Sequence, residues 1–167
     1  MLTLHVPSEG DAVLVADARV AALGPAAELA AAYPAARERR WAGVIGPGRC
    51  RADAAAWLES AYHPDPREEL GSGPLDPAVV GPLDDARWGG SARRGLQRLL
   101  ADGVTALVGP FTRPPVRTAV QRSGLPVLAG PRDPVLAVGG PAHFTVTAPD
   151  GTCLATVVSG RIVHRRR

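Results

Sequence analysis

The chain has 167 residues, enough for one domain or for a small domain with an insertion. Its hydrophobic residues, 46% of the total, suffice for a buried core, which must consist mainly of Ala, Val and Leu because only 4% are aromatic. The formal net charge of +3 is too small to indicate a nucleic-acid-binding surface, and no apolar run approaches the length of about 20 residues that a membrane-spanning helix needs.

The N-terminal segment is typical of strands arranged around a β-hairpin. Residues 1–6 alternate apolar and polar side chains, which predicts a first strand. Apolar runs over 12–16 and 19–23 flank a turn at residues 17–18, and this pattern predicts the hairpin. An Ala-rich segment over 25–33 predicts a short helix that begins with one proline and ends before another. Further strand segments are predicted over 37–41 and 43–48.

The middle of the sequence predicts a small α/β unit, because helical and strand patterns alternate. Residues 63–83 are rich in Pro, Gly and acidic side chains, which predicts a long loop. The next helix begins at Asp84 or Asp85, either of which is a suitable N-cap. Helices are predicted over 52–62, 85–101 and 114–123, and strands over 104–108 and 125–128.

The C-terminal segment returns to strands after residue 139 and contains a second hairpin. Its two apolar runs, 155–158 and 161–163, flank a Ser159-Gly160 turn. Similar hairpins at opposite ends of the chain indicate one sheet system that is closed by both termini. The predicted fold class is α+β, with a composite β-sandwich formed by residues 1–48 and 139–167 and an α/β insert formed by residues 49–138.

Short segments at both ends and in the middle of the chain carry a likeness to a known family. They are 13–24, 46–48, 99–105, 139–144 and 157–163. In order and spacing these segments resemble cyclic amidohydrolases of the imidazolonepropionase and aminofutalosine deaminase kind. The resemblance implies a β-sandwich built from both termini and a metal-bearing (β/α)8 barrel. A complete barrel takes about 250 residues, so the insert of this chain would be a remnant of one.

The metal ligands of that family are not matched in this chain. In such enzymes two histidines, five and seven residues after the glycine of a Pro-Gly turn, hold the metal that activates water. Counting from Gly48, these positions hold Asp53 and Ala55, and His143 stands where the family has an acidic residue. We therefore expect no metal and no cofactor, and a non-catalytic module with a structural or partner-binding role.

A catalytic alternative stays open. It is a hydrolase that acts on carbon–nitrogen bonds of a cyclic amidine or an aminofutalosine-like substrate and is completed by another subunit. Its candidate catalytic residues are Asp53, His63 and Asp65, although the setting of His63 is more typical of a loop histidine held by prolines. The resemblance does not choose between histidine degradation and menaquinone biosynthesis as the pathway.

The remaining polar residues favour structural roles. His5, His143 and His164 are expected at strand edges or facing solvent rather than as metal ligands. Cys50 and Cys153 are expected to be two buried thiols of a cytoplasmic protein. The strands over 104–108 and 125–128 are predicted to form part of a parallel sheet with open edges, so we expect a homodimer or an unidentified protein partner. We expect neither a nucleic acid nor a membrane as a partner.

Overall fold

The computed structural model describes residues 1–166, which contain helices and strands in mixed order. The strands are β1 (Leu2–Val6), β2 (Ala12–Ala16), β3 (Arg19–Gly24), β4 (Arg37–Arg40), β5 (Val44–Pro47), β6 (Arg49–Arg51), β7 (Val104–Val108), β8 (Val127–Leu128), β9 (Phe144–Thr147), β10 (Cys153–Val158) and β11 (Arg161–Arg165). The helices are α1 (Ala26–Ala32), α2 (Ala54–Glu59), α3 (Pro77–Val80), α4 (Asp85–Ala101) and α5 (Pro114–Ser123), with a turn of 3-10 helix at Pro66–Glu68.

The chain divides into two compact units. The first comprises Met1–Arg49, Leu100–Thr105 and Asp133–Arg167, and the second comprises Cys50–Leu99 and Ala106–Arg132. A compact unit is not by itself an independently folding domain. The predicted domain limits of 1–48 with 139–167, and of 49–138, therefore stay a prediction.

The first unit contains two four-stranded sheets. One has the order β3-β2-β1-β4, in which β1 is antiparallel to β2 and parallel to β4. The other has the order β11-β10-β9-β5 and is antiparallel throughout. Each sheet contains the hairpin predicted for its end of the chain, β2-β3 in one and β10-β11 in the other.

The core of the first unit combines side chains from both ends of the sequence. Val13, Val15 and Val20 of the N-terminal hairpin form one buried cluster with Phe144 and Val157 of the C-terminal strands. Each fully buried Val or Phe side chain of this kind contributes about 1.5–3 kcal/mol to folding. Both termini therefore contribute to one shared apolar cluster.

Strand β2 is buried on both faces, which explains why its sequence AVLVA shows no polar alternation. Successive side chains of a strand point to opposite faces. Val13 and Val15 enter the core shared by the two sheets. Leu14 lies in a second cluster with Leu4, and Leu29 of α1 packs against that cluster.

Helix α4 is the longest element of the chain and begins where the sequence predicts. The Asp84 side chain accepts a hydrogen bond from the backbone N–H of Arg87 at 2.8 Å, which satisfies one of the free N–H groups of the first turn. Its buried side chains recur every three or four residues and form one apolar face. They include Trp88, Ala92, Leu96 and Leu99.

Helix α5 shows the expected terminal residues. It has Pro at its start, and Gly124 ends it in the left-handed conformation, with a φ of 71°. Val116 and Val120, one turn apart, are both buried.

Strand β7 lies between β6 and β8 in a three-stranded sheet, and its pairing with β8 is parallel, as predicted for this segment.

The prediction of an α+β composite fold is confirmed, and the strands of residues 1–166 form open sheets rather than a closed barrel. Several element predictions need correction. The helix predicted over 52–62 spans only Ala54–Glu59, and the strand predicted over 125–128 spans only Val127–Leu128. The loop predicted over 63–83 contains the 3-10 turn and α3, because an Asp N-cap followed by Pro is enough to begin a short helix.

Candidate functional site

His63, one of the candidate catalytic residues, is fully buried in the second unit. Its backbone is fixed by α4 on both sides. The His63 N–H donates to the Ser91 hydroxyl at 2.9 Å, and Nε of Arg94 donates to the His63 carbonyl at 2.8 Å. His63 lies in a loop, as the sequence indicates, but the loop is held tightly against α4 at this residue.

Both ring nitrogens of His63 are occupied by protein groups. Nε2 lies 2.7 Å from the carbonyl oxygen of Trp57, and a guanidinium nitrogen of Arg98 lies 3.1 Å from Nδ1. A carbonyl only accepts and a guanidinium only donates, so Nε2 carries the proton and Nδ1 is the acceptor. Burial, together with the charges of Arg98 and Arg94, holds the pKa of His63 below its usual value, although the Trp57 hydrogen bond opposes this shift.

The other two candidates are engaged elsewhere. Asp65 caps the 3-10 turn by accepting from the Arg67 N–H at 3.0 Å, and Arg94 approaches its carboxylate at 3.7 Å. Asp53 is exposed and forms an ion pair of 2.5 Å with Arg51. Within residues 1–166, no hydrogen bond joins the side chains of Asp53, His63 and Asp65, so the structure does not assemble them into one catalytic group.

Sequence reasoning missed the polar partners that surround His63. Ser91, Arg94 and Arg98 lie three or four residues apart on α4, which places them on one side of the helix. That spacing on a helix with a buried face was the available indication that this side meets a polar group. The identity of the group, a histidine about thirty positions earlier in the chain, follows only from the tertiary structure.

A second polar cluster of the second unit was also missed. The Tyr62 hydroxyl donates to the Glu68 carboxylate at 2.8 Å, and Arg87 donates to the same carboxylate at 3.0 Å. Burial and the Glu68 contact raise the pKa of Tyr62, whereas the Asp65 N–H and the Tyr62 hydroxyl lower the pKa of Glu68. Glu68 also forms a capping box with Asp65.

The histidines of the first unit divide into two kinds. His5 is only 1% exposed and lies on β1, an inner strand of its sheet, so the expectation of an edge or solvent-facing position is wrong for this residue. His143 and His164 are partly exposed. Nδ1 of His143 accepts a hydrogen bond from the Ser159 N–H at 3.0 Å.

The two cysteines, Cys50 and Cys153, are free thiols that are half-buried rather than fully buried.

The residues present do not fit the metal site that the resemblance implies. Ala55 has no side-chain ligand atom, and the Asp53 carboxylate is paired with the guanidinium of Arg51. His63 offers no lone pair that is free of a protein donor. Among the residues that the structure describes, no group of three or more His, Cys, Asp or Glu side chains is arranged to hold a metal ion.

No helix in residues 1–166 is both long and apolar enough to cross a membrane.

Comparison with curated proteins found no match. Among solved structures, the chain is similar to the crystal structure of A. niger ochratoxinase, with a TM-score of 0.46 and 18% sequence identity. The match covers 77% of this chain and 28% of ochratoxinase, so the chain spans less than a third of the length of that protein.

A comparison with protein families matches the N-terminal hairpin and α1. Residues 12–36 match the family described as the imidazolonepropionase-like composite domain of bacteria. The matched segment contains β2 and β3, which form the hairpin at one edge of a sheet, and α1, which packs on that sheet. The resemblance to the imidazolonepropionase-like composite domain that the sequence indicates is therefore confirmed for this segment.

Proposed function

We propose that this chain is a non-catalytic module related to the amidohydrolases, which acts by binding rather than by hydrolysis. The observation that carries the proposal is the state of His63. Its Nε2 proton is donated to the Trp57 carbonyl and its Nδ1 lone pair accepts from Arg98, so neither nitrogen is free to move a substrate proton or to bind a metal. A low pKa in a buried site further disfavours protonation of the ring.

The energetics of the reaction support the same proposal. Hydrolysis of a cyclic amide or amidine near neutral pH needs hydroxide, and a metal supplies it by lowering the pKa of bound water from 15.7 to about 7. That change corresponds to about 12 kcal/mol. A single general base contributes a factor of about 10²–10⁴, or about 3–5 kcal/mol. Asp53, which is exposed and ion-paired, therefore does not replace the metal by proton transfer alone.

The test is an assay of the purified chain with imidazolonepropionate and with aminofutalosine, each with and without added zinc. We expect no hydrolysis above the buffer control in any of the four conditions. Metal-independent turnover that disappears in Asp53→Ala, but persists in the matched surface variant Asp11→Ala, would restore the hydrolase alternative. Zinc-dependent turnover lost in His63→Gln would restore it in the metal-dependent form.

A protein partner is part of this proposal, and we favour a second copy of the chain. Strand β8 is the outer strand of its sheet, after β6 and β7. Its Val127 is 48% exposed. An outer strand presents unpaired backbone N–H and C=O groups, which an additional strand would satisfy. A cytoplasmic location belongs to the same proposal, and free thiols at Cys50 and Cys153 fit a reducing compartment.

A further inference from the structure

The first unit has a cleft of about 540 Å³ whose lining is rich in arginine. The side chains of Arg39 on β4, together with Arg161 and Arg165 on β11, contribute to its wall. His5 and Thr3 of β1 also line it, and no acidic residue does. The volume lies within the range of about 300–1,000 Å³ that is typical of small-molecule sites.

The three arginines of the cleft carry uncompensated charge. Among the ion pairs of residues 1–166, none involves Arg39, Arg161 or Arg165. The nearby pair on β4 joins Arg40 to Glu38 and leaves Arg39 out. Guanidinium groups that share one cleft repel each other and create a positive potential, which an anion between them would relieve.

The imidazole of His5 adds a hydrogen-bond donor of fixed identity to this cleft. The indole N–H of Trp41 donates to Nδ1 of His5 at 3.2 Å. Indole nitrogen is a donor only, so Nδ1 is the unprotonated nitrogen and Nε2 carries the proton. Among the described residues, no protein group accepts from Nε2, and the ring remains neutral because burial and the Arg39 charge lower its pKa to about 4.

Aromatic side chains contact His5 and Arg165, two of the groups that line the cleft. The rings of His5 and Trp41 are nearly parallel, with an interplanar angle of 6°, and the edge of the His5 ring meets Phe144 at a centroid distance of 5.0 Å. The guanidinium carbon of Arg165 lies 5.5 Å from the centre of the Trp41 ring, in cation–π range. Donors that are already held in place lose little conformational freedom on binding, which applies here to His5 and Arg165.

We propose that this cleft binds the oxyanion group, a carboxylate or a phosphate, of a small molecule. The guanidinium groups of Arg39, Arg161 and Arg165 bind its oxygens, and the Nε2–H group of His5 donates one further hydrogen bond. Arginine is suited to this role because its planar fork matches the geometry of carboxylate and phosphate oxygens. A nucleic acid fits less well, because Trp41 is only 9% exposed and offers no face on which a base could stack.

The experiment is an NMR titration of the whole ¹⁵N-labelled chain with citrate in one arm and inorganic phosphate in the other, at constant ionic strength set with sodium chloride. The readout is the indole N–H of Trp41, because it is bonded to the ring whose other nitrogen would meet the anion. Trp57, whose indole donates to the Gly95 carbonyl, and Trp88 serve as internal references. Of the three indole signals, we expect only that of Trp41 to shift, and we expect this shift to saturate. The anion that binds more tightly, citrate or phosphate, then shows whether the cleft prefers a carboxylate or a phosphate.

The matched variants are Arg39→Ala and Arg37→Ala, which remove the same charge from the same strand. Arg37 is exposed and does not line the cleft. Loss of one charged hydrogen-bond partner should weaken binding by about 10-fold or more in Arg39→Ala and leave it nearly unchanged in Arg37→Ala. Absence of a saturable Trp41 shift in both arms, equal weakening in both variants, or tight binding of duplex DNA only would overturn the proposal.

Discussion

Gly95 approaches the imidazole of His63 so closely that a methyl group on its Cα would lie 2.7 Å from Cδ2 of the ring and 2.8 Å from Nε2. Real side chains do not tolerate such distances, so one of the two residues would have to move. The carbonyl of Gly95 also accepts a hydrogen bond from the indole of Trp57 at 3.2 Å, and the Trp57 carbonyl in turn accepts from His63. The glycine therefore belongs to the structural setting of His63.

The first prediction compares two glycines of α4. Alanine normally stabilises a helix interior relative to glycine by about 1 kcal/mol. Gly89→Ala should show this gain, because the added methyl group would meet only Pro115 Cβ, at 3.7 Å. Gly95→Ala should instead lower the free energy of unfolding by about 1–3 kcal/mol through overpacking against His63 and Leu58.

The measurement is urea unfolding of both variants and of the parent chain, followed by the far-ultraviolet circular dichroism signal. Equal effects of the two substitutions would show that the close approach of Gly95 to His63 is not energetically important.

A second prediction tests whether His63 is the residue responsible. In a His63→Ala background the ring is gone, so Gly95→Ala should cost at least about 0.5 kcal/mol less than it does in the parent chain. The measurement is a double-mutant cycle of unfolding free energies from the same denaturant experiments. Additive effects would mean that Leu58, the other side chain near Gly95, accounts for the cost instead.

The elements of the fold could be predicted because their determinants are local. Apolar runs around Asp17-Ala18 and Ser159-Gly160 indicate both hairpins, and Asp84 and Gly124 indicate the ends of two helices. Short elements were predicted less well. In the Pro-rich segment over 63–83, Asp65 and Asp76 cap two short helical turns. The high content of Pro and Gly in this segment predicted a loop instead.

The polar clusters could not be predicted, since each joins residues that are distant in sequence. His5 and Trp41 are 36 positions apart, and His63 and Arg98 are 35 apart. A histidine on an apolar strand carries no local mark that distinguishes an exposed ring from a buried one with a partner. For His5 the outcome depends on β4 pairing alongside β1, which makes β1 an inner strand.

A third prediction concerns stability in acid. His5 has a pKa of about 4 in the folded chain against 6.5 for an ordinary histidine. Between these two pH values the unfolded chain binds a proton at His5 that the folded chain does not, so falling pH favours unfolding. The contribution is fully present above about pH 6.5, and about 3 kcal/mol of it is lost by pH 4.

The measurement is the free energy of unfolding at pH 7.5, 5.5 and 4.5 for the parent chain and for His5→Asn, whose carbonyl still accepts from Trp41. The pH slope should be clearly shallower in His5→Asn. His164→Asn is the comparison variant. Burial is also the main cause that lowers the pKa of His164, but this histidine is more exposed than His5. Parallel curves for the parent chain and His5→Asn would contradict the prediction.

The last prediction concerns self-association through β8. We expect light scattering at micromolar concentration to give twice the chain mass of 17.3 kDa, because pairing of this outer strand with a second copy would satisfy its backbone groups. Val127→Lys places a charge at the proposed contact and should return the mass to that of one chain. Val79→Lys is the matched control, since Val79 is 78% exposed but lies on α3, outside the sheet, and this variant should remain dimeric. A monomeric parent chain would argue against self-association, and a dimer that both variants leave intact would place the interface away from β8.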